Sequence, residues 1–198
     1  MIKQFAKLGL ILVAFAAVAC VGLTFVYAAT EKQIALNAGA QLKESLKELF
    51  ADAEEFAPTQ LDSPDPAVAF VEAYEAKRGG APMGVAIKAS GASYGGPTIL
   101  LVGVGLDRRI VGVRVLANVD TPGLGANAAS PTSYVDKVAK VTFPGQFTGK
   151  SLSDAFEVKK DIQAITAATI TSRSLTKIVK AAGAAAGTWL ERIAAGGK

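Results

Sequence analysis

The sequence predicts an α+β domain, with a small, largely antiparallel sheet and flanking helices, preceded by one N-terminal transmembrane helix. Three observations support this: an uncharged apolar run over residues 8–30, short apolar segments between glycine-rich turns over residues 83–119, and a periodic apolar pattern near the C-terminus. Sheet segments segregated from helical segments are typical of this fold class. We divide the chain into a cytoplasmic N-terminus with the membrane helix (1–30), a helical stalk and connector (31–80) and the main domain (81–198).

The run at residues 8–30 carries no charged side chain, and about 20 such residues suffice for a helix to cross a bilayer. Three other interpretations compete with a retained anchor. A signal peptide cleaved after Ala28 would have an apolar core of only roughly 7–15 residues. A lipoprotein signal ending at Cys20 would be followed by polar residues, whereas the apolar run continues to Tyr27. A buried core helix does not suit this length and position, so we predict a retained anchor.

The charges beside the anchor predict its orientation. Lys3 and Lys7 precede it, while Glu31 and Lys32 on the far side nearly cancel. Positive charge favours the cytoplasmic side. We therefore expect a single-pass protein of the cytoplasmic (inner) membrane, with its main domain on the extracytoplasmic side.

Periodicity predicts the next elements along the chain. Residues 31–50 have apolar side chains on one helical face, which indicates an amphipathic helix. Residues 57–66 are rich in proline and aspartate, which is typical of a loop. A short helix is expected over residues 67–76, with Pro66 in its first turn.

The main domain begins with strand patterns. Short strands are expected at residues 85–87, 98–104 and 110–119, and the last two form a β-hairpin through the turn at 106–109. The remaining expectations are a loop at 120–130, a short helix around 132–138, an irregular segment at 143–149 and a final helix from about Ser172.

The composition excludes several kinds of site. The sequence has no histidine and one cysteine, which excludes histidine-ligated haem or zinc and a Ser–His–Asp triad, and leaves an iron–sulfur cluster without its usual ligands. The carboxylates after Met83 are scattered, so we predict no metal site. The net charge of +4 is modest and unclustered, which gives nucleic-acid binding no support. Redox chemistry here would need an organic cofactor or a partner's cysteine.

Two segments are candidates for chemistry. The loop from Asp120 to Gly125 is either an ordinary turn leaving a strand or a backbone surface able to approach a flat ligand. In the second segment, a hydroxyl of Thr171 or Ser172 could cap the last helix, which leaves Thr166 and Thr169 unexplained. A helix N-terminus among small residues also suits a phosphate, which a threonine could hold by a hydrogen bond or an ester.

Together the segments resemble the FMN-binding domain of the G subunit of the Rnf electron transport complex and of the related C subunit of the sodium-translocating NADH:quinone reductase. The family motif Ser/Thr-Gly-Ala-Thr-x-Thr/Ser is matched by Thr166-Ala167-Ala168-Thr169-Ile170-Thr171. A Glu/Asp-Thr-Pro-Gly-Leu-Gly loop is matched by Asp120 to Gly125, and an aromatic–glycine turn by Tyr94-Gly95-Gly96-Pro97. The order of the motifs, the single anchor and the length also agree, and the length favours the Rnf type.

The resemblance implies that domain 81–198 binds FMN covalently, as a phosphoester of Thr169 that a flavin transferase makes from FAD. It implies no catalytic residue and no metal. The phosphate is expected over the amides of residues 171–173, and Arg173, Lys159 and Lys160 are candidates for neutralising it. The other cofactor-binding residues that we expect are Thr166, Ala167, Ala168, Ile170, Thr171, Ser172, Thr121, Pro122, Gly123, Leu124, Gly125 and Tyr94.

One position departs from the family motif, because Ala167 stands where the family has glycine. If the glycine serves a positive φ angle, alanine is strained there. If only a small side chain is needed, alanine suffices.

The function that the resemblance implies is that of an electron-relay subunit of a membrane-bound, ion-translocating ferredoxin:NAD oxidoreductase. The chain would not be catalytic alone, and its partners would be the iron–sulfur and flavin subunits of the complex. Two alternatives remain. A non-redox, membrane-tethered binding or assembly module leaves the Thr169 segment unexplained. A flavin transferase or other free-standing enzyme would need an acidic metal-binding cluster, which the scattered carboxylates do not supply.

Overall fold

The computed structural model describes residues 2–196 and divides the chain into two compact units, Met1–Lys43 and Glu44–Lys198. Helix α1, Ile2–Leu49, makes up the first unit and continues into the second. The uncharged run at residues 8–30 lies wholly within α1, so the predicted helix is confirmed. The helix is long and apolar enough to cross a membrane, with a mean hydropathy of 2.6 and no buried residue over its most apolar window.

A five-stranded sheet forms the centre of the second unit. All four of its pairings are antiparallel, and its strands follow one another in chain order. The α+β class and the hairpin of the last two strands are therefore confirmed. The strands are β1 (Glu55–Thr59), β2 (Val68–Arg78), β3 (Ala81–Ala92), β4 (Pro97–Gly105) and β5 (Ile110–Ala117).

The short helix predicted over residues 67–76 is wrong, because this segment forms β2. The strand pairs with β1 on one side and with β3 on the other, so its backbone groups are satisfied within the sheet. Phe70, Val71 and Tyr74 also favour a strand. Strand β1 likewise takes up residues 57–59 of the predicted loop. Two strands of the sheet thus lie within the range assigned to the helical connector.

The helix predicted around residues 132–138 is also wrong. A small hairpin of β6 (Tyr134–Asp136) and β7 (Val141–Thr142) stands there instead. The Asp136 side chain accepts the N–H groups of Val138 and Ala139, each at 2.9 Å. An aspartate that bonds its own backbone in this way favours a turn over a helix.

The core lies between the sheet and the last helix, α2 (Thr169–Ala194). Valine and isoleucine side chains on one sheet face pack against buried positions along α2, the last of which are Trp189, only 1% exposed, and Leu190. The opposite face of the sheet is covered by Leu49 and Phe50, which approach Gly103. Because both sheet faces are covered, the loops at one end of the sheet are left to build a site.

Candidate functional site

Helix α2 begins at Thr169, three residues earlier than predicted, and has no side-chain cap. Its N-cap residue is Ala168, and the Ser172 N–H donates to the Ala168 carbonyl at 3.0 Å. A side-chain cap by Thr171 or Ser172 is therefore wrong, since both residues lie inside the helix. The N–H groups of Thr169, Ile170 and Thr171 precede the first helical hydrogen bond and face the open end of the helix.

The Ser172 hydroxyl folds the preceding loop onto α2. Its Oγ accepts the Ile165 N–H and donates to the Ala168 carbonyl, both at 2.9 Å. The side chain is fully buried. Ser172 was predicted to bind the cofactor, but its side chain instead stabilises the loop that precedes α2.

Ala167 occupies the left-handed region, with φ of 59°. The Ala168 N–H donates to the Ile165 carbonyl at 3.0 Å, which closes a four-residue turn with Ala167 at its third position. Turns with a positive φ at that position favour glycine. The structure therefore supports the first explanation of the family glycine, and an L-residue in this conformation costs about 1–2 kcal/mol.

Replacing Ala167 with glycine is expected to raise the free energy of unfolding by about 0.5–1 kcal/mol, since relief of the left-handed strain exceeds the entropy that glycine adds to the unfolded chain. Urea unfolding of the full chain in detergent, followed by fluorescence of the buried Trp189, measures it. Ala184→Gly is the matched control, because the same change on the exposed side of α2 should lower stability by about 1 kcal/mol. Equal losses in both variants would contradict the strain at Ala167.

A buried carboxylate ties three segments together at the start of α2. Asp120 is 4% exposed. It accepts hydrogen bonds from Ser93 Oγ at 2.6 Å, from the Gly95 N–H at 2.6 Å and from Thr171 Oγ1 at 2.7 Å. These donors belong to the β3–β4 turn and to α2, while Asp120 opens the loop after β5. Asp120 therefore links the β3–β4 turn, its own loop and α2.

The glycine at position 125 is required by this arrangement. A Cβ atom there would lie 2.7 Å from Asp120 Oδ2 and in contact with the Thr171 hydroxyl. The Gly125 carbonyl accepts the Asn118 side-chain amide at 3.0 Å, which fixes the loop in this close position. Gly123 has open space around it but a φ of 79°. Gly125 is therefore required for the close approach of the loop to Asp120 and Thr171, whereas Gly123 is required for its positive φ angle.

The structure brings most of the predicted site residues around one cavity of about 570 Å³. This volume is in the usual range for small-molecule sites. Thr166, Pro122, Gly123 and Ser172 were also predicted, and they lie outside its lining. The lining residues are Tyr94, Thr121, Leu124, Gly125, Ala167, Ala168, Thr169, Ile170 and Thr171.

The cavity combines exposed apolar side chains with free backbone N–H groups. Tyr94 is 67% exposed, Ile170 56% and Leu124 40%, so large apolar surfaces stand open at its mouth. The uncapped start of α2, which also lines the cavity, supplies free N–H groups, and such a helix terminus favours an anion. The residues therefore fit a flat aromatic molecule with a phosphate at one end, which describes FMN.

The three predicted cations lie outside this cavity. Arg173 is exposed one helical turn after Thr169 and lines a separate cavity. Lys160 forms an exposed ion pair with Glu157 at 3.6 Å, and Lys159 is exposed. Their contact with a phosphate stays a prediction.

Two residues were missed as parts of the site. The sequence places Asp120 at the head of a matching loop but gives no sign that its side chain is buried beneath it. Nothing in the sequence indicates that Ser93 belongs to the site, because an isolated serine next to a turn is common. Only the folded chain shows that the two bond each other at 2.6 Å.

The ionised Asp120 is expected to stabilise the fold less as the pH falls. Burial raises its pKa, but hydrogen bonds from Ser93, Gly95 and Thr171 outweigh burial, so the pKa lies below its ordinary value. A carboxyl whose pKa is lower in the folded chain than in the unfolded chain stabilises the fold at pH values above its unfolded pKa. For Asp120 that stabilisation is lost as the pH falls from about 4 through the folded pKa. Asp120→Asn should therefore lose less stability than wild type in urea unfolding between about pH 6 and about pH 3. Parallel losses would contradict this role.

Comparison with known proteins first defines the class. The profile of the FMN-binding domain matches residues 93–184, which include every lining residue of the cavity. The cavity therefore lies in an FMN-binding domain. A second profile, the RnfG N-terminal region, matches residues 1–49, which hold helix α1.

Relatives then identify the family. The G subunit of the proton-translocating ferredoxin:NAD(+) oxidoreductase complex of Clostridium ljungdahlii is 39% identical over 55% of this chain and 56% of that protein. The G subunit of the Na(+)-translocating complex of Acetobacterium woodii is 29% identical over 86% of each chain. The G subunit of the ion-translocating oxidoreductase complex of Vibrio cholerae is 32% identical over 92% of this chain and 90% of that protein. The chain belongs to the family of G subunits of ion-translocating Rnf oxidoreductase complexes.

Proposed function

We propose that this chain carries FMN as a phosphoester of Thr169 and acts as an electron relay in an ion-translocating ferredoxin:NAD oxidoreductase complex. The observation that supports this best is the position of the Thr169 side chain. It is half-buried in the wall of the cavity, at the uncapped start of α2, and among the described residues its hydroxyl has no hydrogen-bond partner. A hydroxyl that is free and beside an anion site is suited to carry a phosphate.

The neighbouring hydroxyls are less suited. Thr171 is 2% exposed, and its hydroxyl donates to Asp120. The Ser172 hydroxyl is fully buried and makes two hydrogen bonds. Thr166 is exposed but lies outside the cavity lining. Thr169 alone among these four combines an accessible hydroxyl with a place in the cavity wall.

The attachment reaction needs a donor and an enzyme. With FAD as donor, Thr169 Oγ1 bonds to the phosphorus of the FMN half, the bond between the two phosphates breaks, and AMP leaves with the hydroxyl proton. The sequence has no histidine, and no described carboxylate bonds Thr169. A flavin transferase would therefore supply the base. The N–H groups at the start of α2 would hold the phosphate in place.

The redox chemistry itself belongs to the flavin, which exchanges electrons through its ring. The chain's residues position the cofactor: Leu124 and Tyr94 offer apolar surfaces to a ring, and the exposed rim leaves an edge accessible for exchange with neighbouring iron–sulfur or flavin subunits. A covalent link would keep the cofactor from diffusing away on the extracytoplasmic side. Lys3 and Lys7 before the apolar run support that orientation.

Expression of the full chain with and without a flavin transferase tests the proposal. With the transferase, the intact mass should rise by one FMN less one water, and the denatured protein should fluoresce as a flavin in a gel. Without it, both signals should be absent. An unchanged mass and a colourless protein under both conditions would contradict a flavin carrier and favour a non-redox module.

A further inference from the structure

We propose that Asp120 is a positioning residue of the flavin site, which holds the three walls of the cavity together and keeps a fixed negative charge behind them that lowers the midpoint potential of the bound flavin. This inference rests on the proposed function, because it requires a flavin in the cavity.

The hydrogen bonds to Asp120 come from two walls of the cavity, and Asp120 itself adjoins the third. Gly95, which donates its N–H, follows the lining residue Tyr94, and Thr171 itself lines the cavity. Thr121, the residue after Asp120, lines the third wall. The positions of the three walls relative to one another thus depend on one side chain.

The charge of Asp120 is not compensated by a cation within the described chain. All its side-chain partners are neutral donors, two hydroxyls and one N–H. Four other carboxylates with lowered pKa values each pair with a lysine: Asp65 with Lys177, Glu72 with Lys88, Glu75 with Lys77 and Asp161 with Lys150. Asp120 is therefore a buried anion whose negative charge no paired cation neutralises among the described residues.

This anion lies directly behind the cavity wall. Its Oδ2 is 2.7 Å from where a Cβ of the lining residue Gly125 would stand, so no side chain separates the carboxylate from the backbone of that wall. Reduction of a flavin takes up two electrons and a proton, which leaves one more negative charge on the ring. A fixed anion nearby disfavours that charge, most strongly where water is excluded. The bound flavin should therefore be harder to reduce than without Asp120.

Asp120→Asn in the full-length, flavinylated chain removes the charge while keeping the contacts. The Asn carbonyl can accept the Gly95 N–H, and its amide can donate to the hydroxyls of Ser93 and Thr171, which also accept hydrogen bonds. The midpoint potential, measured by dye-mediated spectroelectrochemistry, should become more positive, with at least a tenfold change in the ratio of reduced to oxidised flavin, about 30 mV for a two-electron couple. The neutral variant Asp120→Ser should shift the potential in the same direction, which keeps the test decisive if the asparagine variant does not fold.

Two controls distinguish the effect of the Asp120 charge from the effect of weaker contacts between the cavity walls. Glu75→Gln removes the same charge beside Trp189, 20 residues along α2 from Thr169 and therefore about 30 Å from the attachment site, so the potential should stay at the wild-type value. Ser93→Ala removes one hydrogen bond to Asp120 but keeps the carboxylate, so it should shift the potential by less than Asp120→Asn does.

Two results would overturn the inference: flavin-loaded Asp120→Asn with the wild-type potential, or Ser93→Ala with as large a shift as Asp120→Asn. Both leave the proposed function intact, because they are measured on protein that carries flavin. A wild-type chain that takes up no flavin from the transferase would instead contradict the proposed function, and this inference with it.

Discussion

Thr169→Ala is expected to abolish covalent flavinylation completely, because it removes the one hydroxyl at the start of α2 that lies in the cavity wall and has no hydrogen-bond partner among the described residues. The fold should persist, since the Thr169 side chain makes no hydrogen bond among the described residues and alanine is the best helix former. Co-expression with a flavin transferase, followed by intact mass and in-gel flavin fluorescence, measures the effect. The variant should show the unmodified mass and no fluorescence.

Two matched variants make this result specific. Thr166→Ala removes an exposed hydroxyl three residues earlier in the chain, outside the cavity lining, and should be flavinylated like wild type. Thr169→Ser keeps a hydroxyl at the same place and should retain attachment. Fluorescence that survives in Thr169→Ala, or disappears in Thr166→Ala, would place the bond elsewhere.

Gly125→Ala is expected to have the second largest effect, on both stability and flavin uptake. The added Cβ would lie 2.7 Å from Asp120 Oδ2 and against the Thr171 hydroxyl, so the wall or the carboxylate must move. Overpacking of this kind typically costs about 1–3 kcal/mol. Loss of the Asp120–Thr171 bond would also leave a buried carboxylate short of a partner. The urea midpoint should fall, and the yield of flavinylated chain should fall with it.

A glycine in the same loop provides the control. Gly123 has a φ of 79° but open space where a side chain would stand. Asparagine tolerates this conformation, so Gly123→Asn should leave the urea midpoint of the unloaded chain close to wild type. Equal losses at positions 123 and 125 would mean that the loop is sensitive to any side chain, and that close approach at Gly125 is not the cause.

The parts of the fold that were predicted correctly have local signals. The hairpin of β4 and β5 combines an apolar strand, a short turn and alternating valines, all within residues 97–117. Strand β2 was missed because its alanines and glutamates also suit a helix, and Pro66 stands where a helix could begin. Its strand state depends on pairing with both neighbours, which a single segment does not reveal.

The candidate site was predictable to the extent that motifs determine it. The resemblance named every residue that lines the cavity, but it gave equal standing to Ser172, which lies in the core instead. The role of Asp120 depends on contacts with Ser93 and Thr171, 27 and 51 residues away in the chain. Contacts of that separation leave no periodic trace in the sequence. Ala167 differs, since a positive φ angle was one of the two explanations that the sequence left open for the family glycine, and the structure has that angle.

The central claim is tested most directly by locating the flavin within the protein. Trypsin cuts after Lys160 and Arg173, so the peptide 161–173 from the flavinylated chain contains all three threonines of the segment. Tandem mass spectrometry of that peptide distinguishes them. The structure predicts the mass of FMN, less one water, on Thr169 alone. The same mass on Thr166 or Thr171, or an unmodified peptide from a protein that is yellow, would contradict a phosphoester at Thr169.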